Sequence, residues 1–157
     1  MSFTPFLFVC ECRSGLALAA RNTRGAQQCP TGVGGSRATT CEENTREAIL
    51  AATREMVQML ITANGLRPED IASAIFTTTP DLNAEFPAVA ARELGWLDTA
   101  LLCGHEMAVP GALPYCIRVL VHWNTSCRAD EVVHVYIRGA TNLRPERAVI
   151  TAFQMTE

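Results

Sequence analysis

The clearest signal along the chain is a switch of hydrophobic period. Ile49, Ala52, Met56, Met59, Leu60 and Ala63 recur at helical spacing, behind the cap-like run Asn44-Thr45-Arg46-Glu47 and ahead of the stop Asn64-Gly65. This predicts a two-faced helix of about five turns. Pro68 followed by Glu69 and Asp70 predicts the first turn of a short helix, where acids suit the positive end of the dipole. The period then shortens. Ala74-Ile75-Phe76-Thr77-Thr78-Thr79 reads as a strand closed by Pro80-Asp81, and Phe86-Pro87-Ala88 opens a helix running to Leu94 and ended by Gly95. Further strands are predicted over 100–103, 116–123 and 132–138. Alternation of helices and strands gives an α/β or α+β class, with helices covering one face of a sheet.

One residue breaks the pattern. Arg118 falls inside Tyr115-Cys116-Ile117-Arg118-Val119-Leu120-Val121-His122-Trp123, which otherwise reads as a buried strand. A guanidinium placed there needs an anionic partner. Upstream, Leu101-Leu102-Cys103-Gly104-His105-Glu106-Met107 offers a thiol and a carboxylate at the end of another apolar run, so the two segments read as a polar site built on strands.

Composition narrows the classes. The 157 residues fit one domain with a real core, 48% of them apolar and 18% charged. No apolar stretch reaches the roughly 18 residues that span a bilayer, and a net charge of −3 argues against a nucleic-acid partner. All 13 basic residues are Arg, which fits either carboxylate recognition or the codon bias of a GC-rich genome. The 7 cysteines lack zinc-ribbon or CxxC spacing and predict free thiols in a reducing, cytoplasmic compartment. His105, His122 and His134 show no metal-ligand spacing and read as structural, so no metal is expected.

Residues 1–40 carry a balance of +3 and the remainder −6. With its apolar start and the Gly-rich exit Gly32-Val33-Gly34-Gly35, the segment 1–33 reads as a disordered leader or extension. A transit peptide or an ordered accessory segment are the alternatives. The folded domain is expected over 34–147, with 148–157 as a C-terminal tail.

Ala38-Thr39-Thr40, Thr79-Pro80-Asp81-Leu82, Phe86-Pro87-Ala88, Ala91-Arg92-Glu93-Leu94, Glu106-Met107, Cys116-Ile117-Arg118-Val119, His134-Val135-Tyr136 and Leu143-Arg144-Pro145 occur in this order. Together they resemble the monofunctional AroH-type chorismate mutases over roughly residues 36–147. The resemblance implies a barrel-like mixed sheet with covering helices, a homotrimer with active sites at subunit interfaces, and the Claisen rearrangement of chorismate to prephenate in phenylalanine and tyrosine biosynthesis. That reaction requires no cofactor. Arg118 then matches the cation beside the breaking ether bond, and Glu106 the carboxylate that holds the ring hydroxyl. Leu102, Cys103, Gly104 and His105 would line the hydroxyl end. Tyr136 and Arg92 would reach a substrate carboxylate, Phe86 and Ala88 would form an apolar wall, and Leu143 with Arg144 would close over the site.

This chain departs from the family at one motif. Where the pattern is Arg-Gly-Ala-Thr-Thr, with an arginine that binds a substrate carboxylate, the chain reads Ser36-Arg37-Ala38-Thr39-Thr40. A gapless alignment puts Ser36 in the arginine's place and turns Arg37 to the opposite face, whereas a lost residue leaves Arg37 to serve. Arg37 is carried forward as a candidate substrate-binding residue. A smaller gap falls between Leu94 and Trp96. Three other readings stay open: a ligand-binding or imine-hydrolysing protein of the related small-trimer fold, a cysteine hydrolase using Cys103, and a catalytically weakened regulatory homologue.

Overall fold

The computed structural model of the chain describes residues 31–145. Strand β1 (Thr31–Thr40) leads into helix α1 (Arg46–Asn64), a 3-10 turn at Pro68–Asp70, strand β2 (Ile71–Thr78), the short helix α2 (Ala88–Glu93) and strands β3 (Ala100–His105) and β4 (Cys116–Thr125). A 3-10 helix, Arg138–Leu143, closes the described region.

The four strands form one mixed sheet in the order β1-β4-β2-β3. β4 runs antiparallel to both of its neighbours, and β2 pairs with β3 in parallel through the α2 crossover. The sheet is open, with β1 and β3 at its edges. Helix α1 buries Ile49, Ala52, Thr53, Met56, Val57 and Leu60 against one face, where Phe76 of β2 and Ile117, Val119, Val121 and Trp123 of β4 complete the core. Trp96 and Leu82 are also buried there. On the opposite face Tyr136 and the 3-10 helix cover only Ala38 and Cys116, and Arg118 and Leu120 of β4 and Leu102 of β3 are exposed among the described residues.

The long helix starts one residue later than the cap-like run suggests. Thr45 is the N-cap, accepting from the Ala48 N–H at 3.3 Å, and Gly65 takes the left-handed conformation that ends the helix (φ 61°). Asn44 is used elsewhere. Its Oδ1 accepts the backbone N–H groups of Asn83 and Ala84, which ties the start of α1 to the loop ahead of α2.

The strand expected over 132–138 is corrected to a one-residue bridge, Ala38 to Tyr136. Two backbone bonds hold it, Ala38 N–H to Val135 O and Ile137 N–H to Ala38 O, each 3.1 Å. On one side of the bridge the Asn64 side chain takes over both polar groups of Val133. On the other, Arg138 adopts a left-handed φ of 54° and turns the chain into the 3-10 helix.

Candidate active site

β4 carries Arg118 between Ala38 of β1 and Thr77 of β2. Strand side chains alternate, so Cys116, Arg118, Leu120 and His122 lie on one face while Ile117, Val119, Val121 and Trp123 enter the core. Arg118 is therefore on the open side of the sheet, with its side chain 46% exposed. The sequence expectation of a guanidinium enclosed by the strand is corrected: the apolar residues around it belong to the other face.

The anion that Arg118 requires is Glu106, just past the end of β3. Arg118 Nε and Glu106 Oε1 are 3.0 Å apart, and Thr77 Oγ1 donates to the same oxygen at 2.7 Å. The Glu106 backbone N–H donates to Thr78 O at 2.8 Å, which fixes the turn that presents the carboxylate. Beneath the pair, burial pushes the Cys116 thiol up despite its bond to Arg118, so the sulfur is a neutral neighbour.

The start of β4 is set by a polar clamp that explains the Thr79-Pro80-Asp81 run. Thr79 and Cys116 exchange backbone and hydroxyl bonds, and Asp81 accepts from Thr79 Oγ1 and, at 2.8 Å, from the Tyr115 N–H. Tyr115 is held in a left-handed conformation (φ 51°) at this point, and three residues later Arg118 emerges.

Tyr136 comes to the same face. Its ring is buried with Ala38, Cys116 and Ala140, beside the partly buried Leu113 and Leu143, and its hydroxyl lies 3.1 Å from Ser36 Oγ. Arg144 follows Leu143 and is exposed.

Arg37 does not join this group. It pairs in register with Val119, on the α1-covered side, and is 1% exposed. Nη1 donates to Ser36 O at 2.8 Å and lies 3.4 Å from His134 Nδ1, while Nε and Nη2 have no partner among the described residues. Burial lowers its pKa to about 10. The gapless reading describes this geometry: Ser36 shares the face of Arg118 and Arg37 points away. As a substrate-binding candidate within this fold, Arg37 is withdrawn because strand alternation directs it into the core.

The other candidates gather elsewhere. Leu102 shares the Arg118 face and is 62% exposed, but Cys103 turns to the α2 side, where it meets the Ala88 backbone N–H and feels the charge of Arg92. There Phe86, Cys103, Gly104 and His105 line an open cleft of about 310 Å³, floored by Leu82 and Thr78, and Thr78 Oγ1 sits 3.0 Å from His105 Nδ1. Burial raises the Cys103 thiol, with the opposing pull of Ala88 and Arg92 smaller, so this is not an activated nucleophile. One chain thus carries two clusters, with Arg118, Glu106 and Tyr136 in one and Phe86, Ala88, Arg92 and Cys103 in the other.

Residues 31–147 match the family described as chorismate mutase type I. The chain belongs to the type I chorismate mutase family. It is 50% identical to the chorismate mutase AroH of Thermus thermophilus over 110 residues, 69% of this chain and 90% of that protein. With the chorismate mutase AroH of Bacillus subtilis (strain 168) it shares 42% identity over 110 residues, 69% of this chain and 87% of that one. Among solved structures, the chorismate mutase from Clostridium thermocellum superposes with a TM-score of 0.68 at 46% identity, covering 69% of this chain and 97% of the other.

For a type I chorismate mutase chain, the sequence and the resemblance named Arg118, Glu106 and Tyr136, which the fold brings to one face, and Phe86, Cys103, Gly104 and His105, which line the cleft. They missed Thr77, which fixes the Glu106 carboxylate, and Ser36, which contacts Tyr136. Thr77 had a signal, being a polar position inside an apolar strand, but its partner depends on the register between β2 and the end of β3. Ser36 was visible only as a gap in the arginine motif.

Proposed function

We propose that this protein is a chorismate mutase, an isomerase that rearranges chorismate to prephenate for phenylalanine and tyrosine synthesis. The observation that carries the proposal is the Arg118–Glu106 pair on an open sheet face, held by Thr77 and flanked by Tyr136. The reaction is pericyclic and needs no proton transfer, hydride or covalent adduct. The protein contributes a folded substrate conformer and charges fixed where the transition state requires them. The ether C–O bond breaks ahead of C–C bond formation, so negative charge gathers on the ether oxygen and the ring becomes electron-poor. Arg118 stabilises that oxygen and Glu106 holds the ring hydroxyl, facing the positive side of the separating charge. A cation fixed in this way favours the transition state over the ground state.

The separation of the two clusters within one chain supports a homotrimer whose sites form where the clusters of neighbouring subunits meet. Phe86, Ala88, Arg92 and Cys103 then provide the wall and carboxylate contact, and the segment of Leu143 and Arg144 closes over the substrate. Sheets closing on one another would give the barrel-like core. We place the enzyme in the cytoplasm, as the thiol-rich composition suggests, with residues 34–147 as the catalytic domain. An imine-hydrolysing relative would not need the Glu106 and Tyr136 contacts, and a Cys103 hydrolase would need a lowered thiol pKa where burial raises it.

The test is turnover. Purified protein is expected to convert chorismate to prephenate without added metal or cofactor, followed by loss of chorismate and appearance of prephenate in the NMR spectrum. Arg118→Ala is expected to lower kcat by roughly a hundredfold or more, the scale of losing one oxyanion donor. Arg118→Lys should rescue poorly, because a point charge does not reproduce the fork. Absence of turnover by the wild type between pH 6 and 9 would reject the assignment.

A further inference from the structure

We infer that Ser36 is a substrate-binding residue of this chain, forming with Tyr136 an uncharged pair of hydroxyls that receives one carboxylate of the dianionic substrate. The inference rests on the chorismate mutase reading of the Arg118 face. Ser36 pairs with Leu120 and so lies one same-face step along β1 from Ala38, the partner of Arg118. That step is about 7 Å, a distance a small dicarboxylate can bridge.

Charge on this face makes the hydroxyls matter. Arg118 is the only arginine that the described strands put there, and Glu106 neutralises it at 3.0 Å. The other strand arginine, Arg37, is enclosed on the far side of the sheet. Within one subunit the strands of the Arg118 face therefore meet an incoming dianion with a balanced ion pair, and the further donors beside it on β1 are neutral groups.

Ser36 Oγ and Tyr136 Oη, 3.1 Å apart, are such donors. Each hydroxyl has one proton and rotates freely; without an anion they satisfy one another, and with one both protons can turn to its oxygens. Tyr136 is nearly buried while Ser36 is exposed, so the serine is the accessible member and also fixes the phenol. Hydrogen bonds to a charged acceptor are stronger than the neutral bond they replace, which favours the exchange.

The wild-type KM and kcat for chorismate provide the baseline, and a wild type without turnover would sink the functional reading rather than this inference. With activity present, Ser36→Ala should raise KM roughly tenfold, as expected for a lost bond to a charged group, with kcat within about twofold. Ser36→Thr, which keeps the hydroxyl and suits a strand, should restore the wild-type KM. Ser36→Arg places a cation at the same point and should tighten prephenate binding in calorimetry. An unchanged KM in Ser36→Ala, whatever its kcat, overturns the inference, as does weaker prephenate binding by Ser36→Arg than by the wild type.

Discussion

Arg37 and Arg118 show how strongly a strand's period of two controls the fate of a charge. Both are arginines in β-branched, apolar surroundings, yet Arg118 reaches the open face and a carboxylate while Arg37 is buried on the other side of the sheet with Nε and Nη2 unbonded among the described residues. From sequence, both looked like arginines bound to substrate. What could not be read was the parity of β1, because Gly32, Gly34 and Gly35 carry no side chain to mark its faces. Arg37 is also an energetic liability. Its pKa is lowered to about 10 by burial, so at neutral pH it is charged and the cost of enclosing it is fully present. That cost is relieved as pH rises through the folded value toward the unfolded one, since the unfolded chain then binds more protons. Arg37→Met should consequently be more stable than wild type by about 1–3 kcal/mol at pH 7, and the gap should narrow above pH 10, measured by urea unfolding at each pH. A less stable variant at pH 7 would show that the guanidinium has a stabilising role.

At the scale of elements, the long helix was the most legible part of the chain, because its apolar stripe, capping residue and terminal glycine all agree. Its N-terminus still differed by one residue, since Asn44 is drawn away to hold Asn83 and Ala84. Thr45 alone caps the helix, and Thr45→Ala should cost about 1 kcal/mol, read as a lower midpoint in thermal unfolding. Asn44→Ala should instead loosen the loop ahead of α2. The segment 132–138 misled because its Val-rich alternation is real but serves packing: Val132, Val135 and Ile137 enter the core while neighbouring side chains consume the ladder bonds. Alternation specifies which side chains are buried, and a strand also needs an unoccupied backbone beside it.

For the whole molecule, the unexpected feature is the large apolar area left on the open face and around it. Leu102, Phe86, Leu97, Met107 and Val109 are each more than half exposed, and Leu120 stands beside Arg118 at 37%. Exposed apolar side chains of this kind fit the proposed subunit interface. The proposed trimer would cover Leu120, so Leu120→Glu should yield a monomer in sedimentation analysis and lower activity along with it, while leaving the helical circular dichroism unchanged. A fully active monomer would refute the shared site. Composition and pattern had no means of finding these exposed positions, since leucines left on a surface look the same in sequence as leucines that pack within the core.

Successive residues of β3 serve different compartments: Leu102 belongs with Arg118, whereas Cys103 belongs with Ala88 and Arg92. Adding or deleting a single codon between 100 and 105 would exchange the occupants of both clusters at once, and nothing elsewhere in the chain could undo it. The length of that segment is therefore under tighter constraint than the identity of any residue in it, and drift in this protein should proceed there by replacement and never by insertion.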